Sequence, residues 1–295
     1  MSSKQPIWQW RLFLFWSAVA VVSGLLACVI RPLNTMGYEH ALFISLITSL
    51  GAGHLAACYP HRIRNQLARF PGARFPGLIM YYRALLFALP LLLFPLIIAL
   101  VNSQLEPPCN QAEGFRFYLA IPSSSIVIAV AIGLLAGSAT PGAKSASVLW
   151  FILYLSTFAG AAYTFYNTPA VYVFGPLFGY IPGVLYNEMV PFELRLGTYR
   201  AITLVQTACL LALLNWFLDP AQLKLSLKRA MGRPKSGLVF AVLLAASVVA
   251  YQAGPVLGHR TTRAALEQTL SYRVSDDKLS LFFPPDTDPL LVDGL

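Results

Sequence analysis

Leu78–Val101 reads LIMYYRALLFALPLLLFPLIIALV and carries one charge, Arg83. As a helix at 1.5 Å per residue, a stretch of this length exceeds the ~30 Å hydrocarbon layer of a bilayer. A helix on the surface of a soluble domain needs a polar face, and this stretch has none. Six other stretches have the same character: Trp10–Ile30, Tyr38–Tyr59, Phe115–Ser138, Ser147–Phe165, Tyr199–Leu218 and Gly237–Leu257. The reading is an all-α polytopic transmembrane bundle of about seven spans.

Composition agrees. Hydrophobic residues make up 57% of the chain and charged residues 11%, against about a quarter charged in soluble domains. The net charge of +9 does not mark a nucleic-acid binder, because the basic residues flank apolar runs instead of forming one patch. They are read as contacts to anionic lipid headgroups, chiefly at Arg62, Arg64, Arg69, Arg74, Lys228 and Arg229. No nucleic-acid partner is expected; a protein partner is left open.

The charges also assign sides. Lys4, Arg11, Arg62, Arg64, Arg69, Arg74, Lys144, Lys224, Lys228, Arg229, Arg233 and Lys235 fall in gaps that share one side. The only acid there is Asp219. Glu39, Glu106, Glu113, Glu188, Glu193 and every acid of the tail fall on the other side. The positive-inside rule then places the N-terminus in the cytoplasm and the C-terminus outside, in a bacterial inner membrane. The alternative is that the first run is a signal peptide. Leu25-Leu26-Ala27-Cys28 loosely resembles a lipoprotein cleavage box, which would lipidate Cys28. Cys28, Cys58 and Cys209 lie inside apolar runs, so only Cys109 would face an oxidising compartment and no disulfide is expected.

Pro90 and Pro95 predict a kinked third span. Arg83, near its inner end, is expected to snorkel to the headgroups. The tandem repeat Arg69–Gly77, RFPGARFPG, reads as a lipid-facing loop with turns. Gly51, Ala52, Gly53, Gly133, Gly137, Gly160 and Ala161 read as sites of close helix packing.

Between spans 5 and 6 lies NTPAVYVFGPLFGYIPGVLYNEMVPFELRLG, residues 167–197. Proline and glycine break it every few residues and aromatics crowd it. Apolar, broken backbone at membrane depth must be buried in protein, line a cavity, or lie at the interface. An interfacial or re-entrant cap over the outer face is expected. The polar residues on the same side, Glu39, His40, Tyr186, Asn187, Glu188, Arg195, Arg200 and His259, form a candidate outer cluster. The competing reading makes them headgroup-level anchors.

Recognisable chemistries are absent. There is no His-Glu-x-x-His, no Walker loop, no Cys/His metal spacing and no lysine inside a span for a Schiff base. His40 and His54 share a helix face but lack the second histidine pair that a two-haem cytochrome b arrangement requires. A single haem between His40 and His259 is the remaining haem option, and His54 reads as a hydrogen-bonded core residue. Ser123-Ser124-Ser125 has no histidine on its helix and reads as serines bonded back to the backbone. No cofactor or metal is implied.

The tail changes character. Residues 259–273 look like an amphipathic helix or stalk, and Lys278–Phe283 alternates like a strand stopped by Pro284-Pro285. Asp288-Pro289 suits a helix start. The expected division is a transmembrane domain over residues 1–258 and an external stalk over 259–295, the latter read as the front of a further soluble domain. FGPLFGYIPGVLYNE (174–188) and YRVSDDKLSLFFPP (272–285) resemble the membrane-bound front of bacterial proteins that carry an external peptidase-MA-like domain. That resemblance implies a metallopeptidase whose zinc and catalytic residues lie past Leu295, so none maps onto this chain. The leading expectation is a membrane anchor or regulatory module for an external C-terminal domain. One alternative is a transporter or exporter-type permease, since the element between spans 5 and 6 loosely resembles permeases that work with a separate ATPase. The other is an intramembrane enzyme acting on lipid or peptide through Glu39, His40 and Glu188.

Overall fold

The computed structural model describes residues 7–64, 75–107, 110–168, 172–182, 192–261, 266–268, 270, 272–275 and 280–283. Tyr186, Asn187, Glu188, Arg69, Arg74, most of the RFPG repeat and the expected helix start at Asp288 lie outside them.

Among the described residues, seven helices are long and apolar enough to cross a membrane. They are α1 (Ile7–Val29), α2 (Tyr38–Ile63), α3 (Pro76–Leu105), the compound helix α4–α5, α6 (Ala143–Asn167), α7 (Leu194–Phe217) and α9 (Pro234–Gln252). The compound helix runs from α4 (Gln111–Tyr118) through one π turn, Leu119–Ser123, into α5 (Ser124–Ala139). α8 (Leu227–Met231) is a single turn. The chain is a multi-pass membrane protein with an all-α bundle.

Six expected spans match these helices to within a turn or so at each end. The seventh ends at Gln252 instead of Leu257. Pro255 disfavours helical backbone at the preceding residue, and Gly258, at φ 74°, turns the chain back. Hydropathy does not register either effect.

α2 and α4–α5 are the two most enclosed spans and pack against each other along their length. The close approach follows from small residues. A Cβ on Gly133 would overlap the carbonyl of Gly53, and one on Gly137 the carbonyl of Ala57. This is the small-xxx-small spacing that lets two backbones meet in a membrane. Gly53 also receives the Trp150 ring of α6. Trp150 Nε1 donates to Leu50 O (3.0 Å) and Tyr154 OH to Leu46 O (2.7 Å), fastening α6 to α2. Gly51 and Ala52 are packed as expected. Gly160 is not: nothing lies within 4 Å of its would-be Cβ. The C-terminal half of α6 presents Phe158 and Thr164 to the hairpin and the cavity, and Gly160 faces away from them. Pro95 is buried inside a continuous α3, where its backbone lies against Gly24 of α1.

The π turn has a local cause. Pro122 supplies no N–H, so one helical bond is missing and the turn widens. Ser124 Oγ donates to Ala120 O, and Ser123 Oγ to Tyr118 O at 3.4 Å. Ser123 and Ser124 thus bond back to the helix backbone, as the sequence suggested, whereas Ser125 reaches across to Pro176 O.

Side-chain bridges define the two ends of the bundle. At one end Arg64 Nη1 donates to Pro141 O (3.3 Å), and Asn215 Oδ1 accepts from the backbone N–H of Gly77 (3.0 Å). A two-residue ladder, β3 (Leu218–Asp219) with β4 (Lys224–Leu225), lies in the loop after α7. At the other end Asn102 Nδ2 donates to Asn34 O (2.8 Å), and Glu113 Oε1 accepts from Phe192 N–H (2.8 Å). This second end carries the segment after α6.

Two sheets complete the described chain. β1 (Tyr172–Gly175) pairs antiparallel with β2 (Gly179–Pro182). β5 (Tyr272–Ser275) pairs antiparallel with β6 (Ser280–Phe283). Of the strand expected at 278–283, residues 280–283 are described as strand, with a partner that alternation alone did not disclose. Of the stalk helix expected over 259–273, one turn is described, at residues 266–268.

Candidate functional site

The β1–β2 hairpin is the centre of the second end. Within the stretch expected as an interfacial or re-entrant cap, residues 172–182 form a hairpin, with Phe174 opposite Tyr180 and Gly175 opposite Gly179. Its prolines are confined to the turn and the strand end, where a missing donor costs nothing. Gly179 has φ 90°, and a Cβ there would also meet Arg200 Nη2 at 3.0 Å. Glycine is required on both counts.

The turn Pro176-Leu177-Phe178 enters the bundle, and Leu177 and Phe178 are fully buried. Ser45 and Ser49 of α2 both donate to Leu177 O, at 2.9 and 3.4 Å. Ser49 lies about 16 Å along α2 from its first residue, so the tip reaches well below the helix ends. Arg200 Nη1 donates to Pro176 O (2.9 Å), and Nη2 to Ser125 Oγ (3.2 Å) and Ile121 O (3.4 Å). Ser125 Oγ donates to Pro176 O at 3.4 Å. Tyr38 OH donates to Tyr180 O, and Phe178 stacks on Phe158 of α6. A turn in an apolar bundle must have its carbonyls satisfied. Here serines and one arginine do so, and the π turn presents Ile121 O to the same guanidinium.

Of the expected outer cluster, Glu39, His40, Arg195, Arg200 and His259 are described, and they do not share one hydrogen-bonded network among the described residues. Arg200 lies beneath the hairpin, 5% exposed, with its Nε unpartnered among the described residues. His40 is buried, and its Nδ1–H meets Leu33 O at 2.9 Å. Glu39, its neighbour in sequence, is exposed. Arg195 pairs with Glu193, and its guanidinium lies 4.9 Å from the Tyr172 ring centroid. His259 joins Arg195: its Nε2 lies 2.9 Å from Arg195 O and 2.9 Å from Thr198 Oγ1. The Thr198 hydroxyl already donates to Arg195 O (3.0 Å), and a carbonyl only accepts, so Nε2 carries the proton. His40 and His259 are thus held by different carbonyls, one in the turn before α2 and one in α7. Burial pushes the His259 pKa down; its bond to the Arg195 carbonyl opposes this, and the Arg195 charge adds to it.

A cavity of about 550 Å³ opens beside the hairpin. Its walls are the end of α6 (Thr164, Asn167), β1 (Phe174), the first half of α7 (Tyr199, Ile202, Gln206) and the end of α9 with the turn after it (Tyr251, His259, Arg260). Arg260 lies 4.5 Å over the Tyr251 ring. No acidic residue is among the described residues that line it. Sequence reasoning found His259 but missed Gln206 and Arg260. Gln206 was the legible signal, a carboxamide amid the apolar residues of span 6. Arg260 was discounted as part of a stalk.

A second polar group lies deeper. Trp16 Nε1 donates to His54 Nδ1 (3.1 Å), and His54 Nε2 meets Ser147 Oγ at 2.8 Å. Indole only donates, so Nδ1 is the acceptor and Nε2 carries the hydrogen. Ser147 donates in turn to Ala143 O (2.9 Å). This neutral relay ties α1, α2 and α6 together, and its histidine has no free lone pair for a general base.

Among the described residues the fold is a membrane-protein bundle of seven helices long and apolar enough to span, with a buried hairpin and a cavity at one end. No family model, curated protein or solved structure matches the chain.

Proposed function

We propose that this chain is a bacterial inner-membrane module that anchors, and regulates the position of, an external C-terminal region beginning near His259. In this reading the N-terminus is cytoplasmic, the β1–β2 hairpin is a re-entrant element of the outer leaflet, and residues 259–295 are external. Arg62, Arg64, Arg69, Arg74, Lys228 and Arg229 then meet anionic headgroups of the inner leaflet. The observation that carries the reading is the contact of His259 with Arg195 O and Thr198. The chain leaving α9 is held against the first turn of α7, beside Phe174 of the hairpin (5.2 Å between ring centroids). A change in packing there would alter where the C-terminal region leaves the membrane. Reporter fusions test it. Activity of a periplasm-dependent reporter fused after Ser275, and none when it is fused within the Ala221–Ser236 loop, is expected; the reverse pattern sinks the reading.

The cavity favours a second reading, a transporter or permease subunit, because substrate sites form where broken elements meet helices. Recovery of an ATPase with the protein, lost on deletion of Ala221–Ser236, supports the exporter form. Failure to recover one counts against it.

A further inference from the structure

We infer that the cavity between α6, α7 and α9 binds one alkyl chain and the anionic head of a membrane amphiphile, entering from the leaflet at that end. The inference is independent of the anchoring role. It requires only that the helices span a membrane.

Size comes first. About 550 Å³ falls within the ~300–1,000 Å³ of small-molecule sites, enough for one chain and a small head.

Polarity is ordered along the cavity. Arg260 and His259, in the turn beyond α9, and Asn167, at the end of α6, line the cavity at the level of the helix ends. Phe174, Ile202 and Ala250 line the body. Gln206, seven residues deeper than Tyr199 along α7 and so about 10 Å below it, marks the deepest polar group of the lining, and its carboxamide makes no hydrogen bond among the described residues. A cation at the level of the helix ends, no acid on the described lining and an apolar body match an anionic amphiphile.

The route of entry follows from the walls. α6 and α9 flank the cavity without packing as a helix pair. The outer half of α6 exposes Tyr163 and Tyr166, and α9 exposes Val248 and Val249. Both flanks therefore face lipid, and a chain can slide between them without crossing water. A carboxylate or phosphate head would sit between Arg260 and Asn167, while the alkyl chain replaces lipid contacts with the walls of Phe174 and Ile202.

Free fatty acid and phospholipid present the same chemistry, and one experiment separates them. The full-length protein is reconstituted in phosphatidylcholine nanodiscs and labelled with a diazirine palmitate, or with the corresponding diazirine alcohol. Labelled peptides are mapped by mass spectrometry. Labelling by the acid should concentrate on the α7 and α9 segments that line the cavity. Arg260→Gln should lower labelling by the acid roughly tenfold, the effect of one lost charge-assisted contact, and leave the alcohol nearly unchanged. Ala250→Trp should abolish both signals by filling the cavity. α9 has no buried residue, so that substitution disturbs no core, and an unchanged melting temperature confirms folding. Competition by unlabelled palmitate alone identifies a fatty-acid site, and competition by phosphatidylglycerol a phospholipid site. Labelling spread over the exposed faces of α1 and α3 and unchanged by Ala250→Trp overturns the proposal. So does an acid-to-alcohol ratio that Arg260→Gln does not move.

Discussion

Arg200 Nη1 donates to the carbonyl of Pro176 at 2.9 Å, tying the second turn of α7 to the hairpin tip inside the bundle. The same guanidinium holds Ser125 and Ile121, so one side chain joins the hairpin, the π turn and two helices. Arg200→Ala would leave the Pro176 and Ile121 carbonyls without that donor at depth. A loss of about 2–4 kcal/mol is expected, in line with removal of a charged donor from buried acceptors. Arg200→Lys should recover only part, because an ammonium cannot reproduce the planar fork. Unfolding in mixed detergent micelles measures both. Wild-type stability in Arg200→Ala would show that the tip does not depend on this contact.

Helix packing makes a paired prediction. Gly133→Ala places a methyl against the Gly53 carbonyl, and backbone cannot move aside as a side-chain end can. A cost of about 1–3 kcal/mol is expected, as for overpacked cores. Gly160→Ala meets no atom within 4 Å and should be neutral or stabilise by up to ~1 kcal/mol through helix propensity. Melting temperatures of the two variants should move in opposite directions, or the second not at all. Equal destabilisation would contradict the placement of α6.

His259 predicts a pH dependence with a definite sign. Its folded pKa lies below the ordinary imidazole value of 6.5. The unfolded or released chain therefore binds more protons in the window just below that value. The contribution of the clamp to stability is full above about pH 6.5 and is lost as pH falls through the lower folded value. Limited proteolysis after residue 259 should accelerate on acidification from neutral pH. His259→Gln should flatten that dependence. A rate that is independent of pH in the wild type would remove His259 from any such role.

Ser147 and His54 resemble a nucleophile and base by distance alone, at 2.8 Å. The indole of Trp16 occupies the His54 Nδ1 lone pair, which leaves Nε2 protonated. A fluorophosphonate probe is expected to leave Ser147 unlabelled, and nitrogen NMR should report the Nε2–H tautomer. Covalent labelling at Ser147 would reverse the assignment.

Much of this is legible in the chain itself. The seven spans follow from length and apolarity, because a bilayer imposes both on each helix independently of its neighbours. The grouping of helix ends followed from the same segmentation, since consecutive spans must alternate. Gly53, Gly133 and Gly137 announced close packing, and the aromatic, proline-broken stretch after α6 announced an element unlike a loop. What the sequence could not supply was pairing across long separations. Arg200 with Pro176, His259 with Arg195 and Trp16 with His54 lie far apart in the chain and share no local pattern. For that reason the polar residues of that side read as one cluster, while among the described members Arg200 lies under the hairpin, His40 against the turn before α2, and His259 beside the cavity. Gly160 misled for the same reason. A small residue permits close approach, but only the arrangement of the other helices decides whether anything approaches. The sequence by itself determined a seven-span membrane bundle, because hydrophobic length is a one-body property. The tertiary structure alone decided where the hairpin enters, which carbonyls Arg200 satisfies and where the cavity opens, because these depend on several segments meeting at one point.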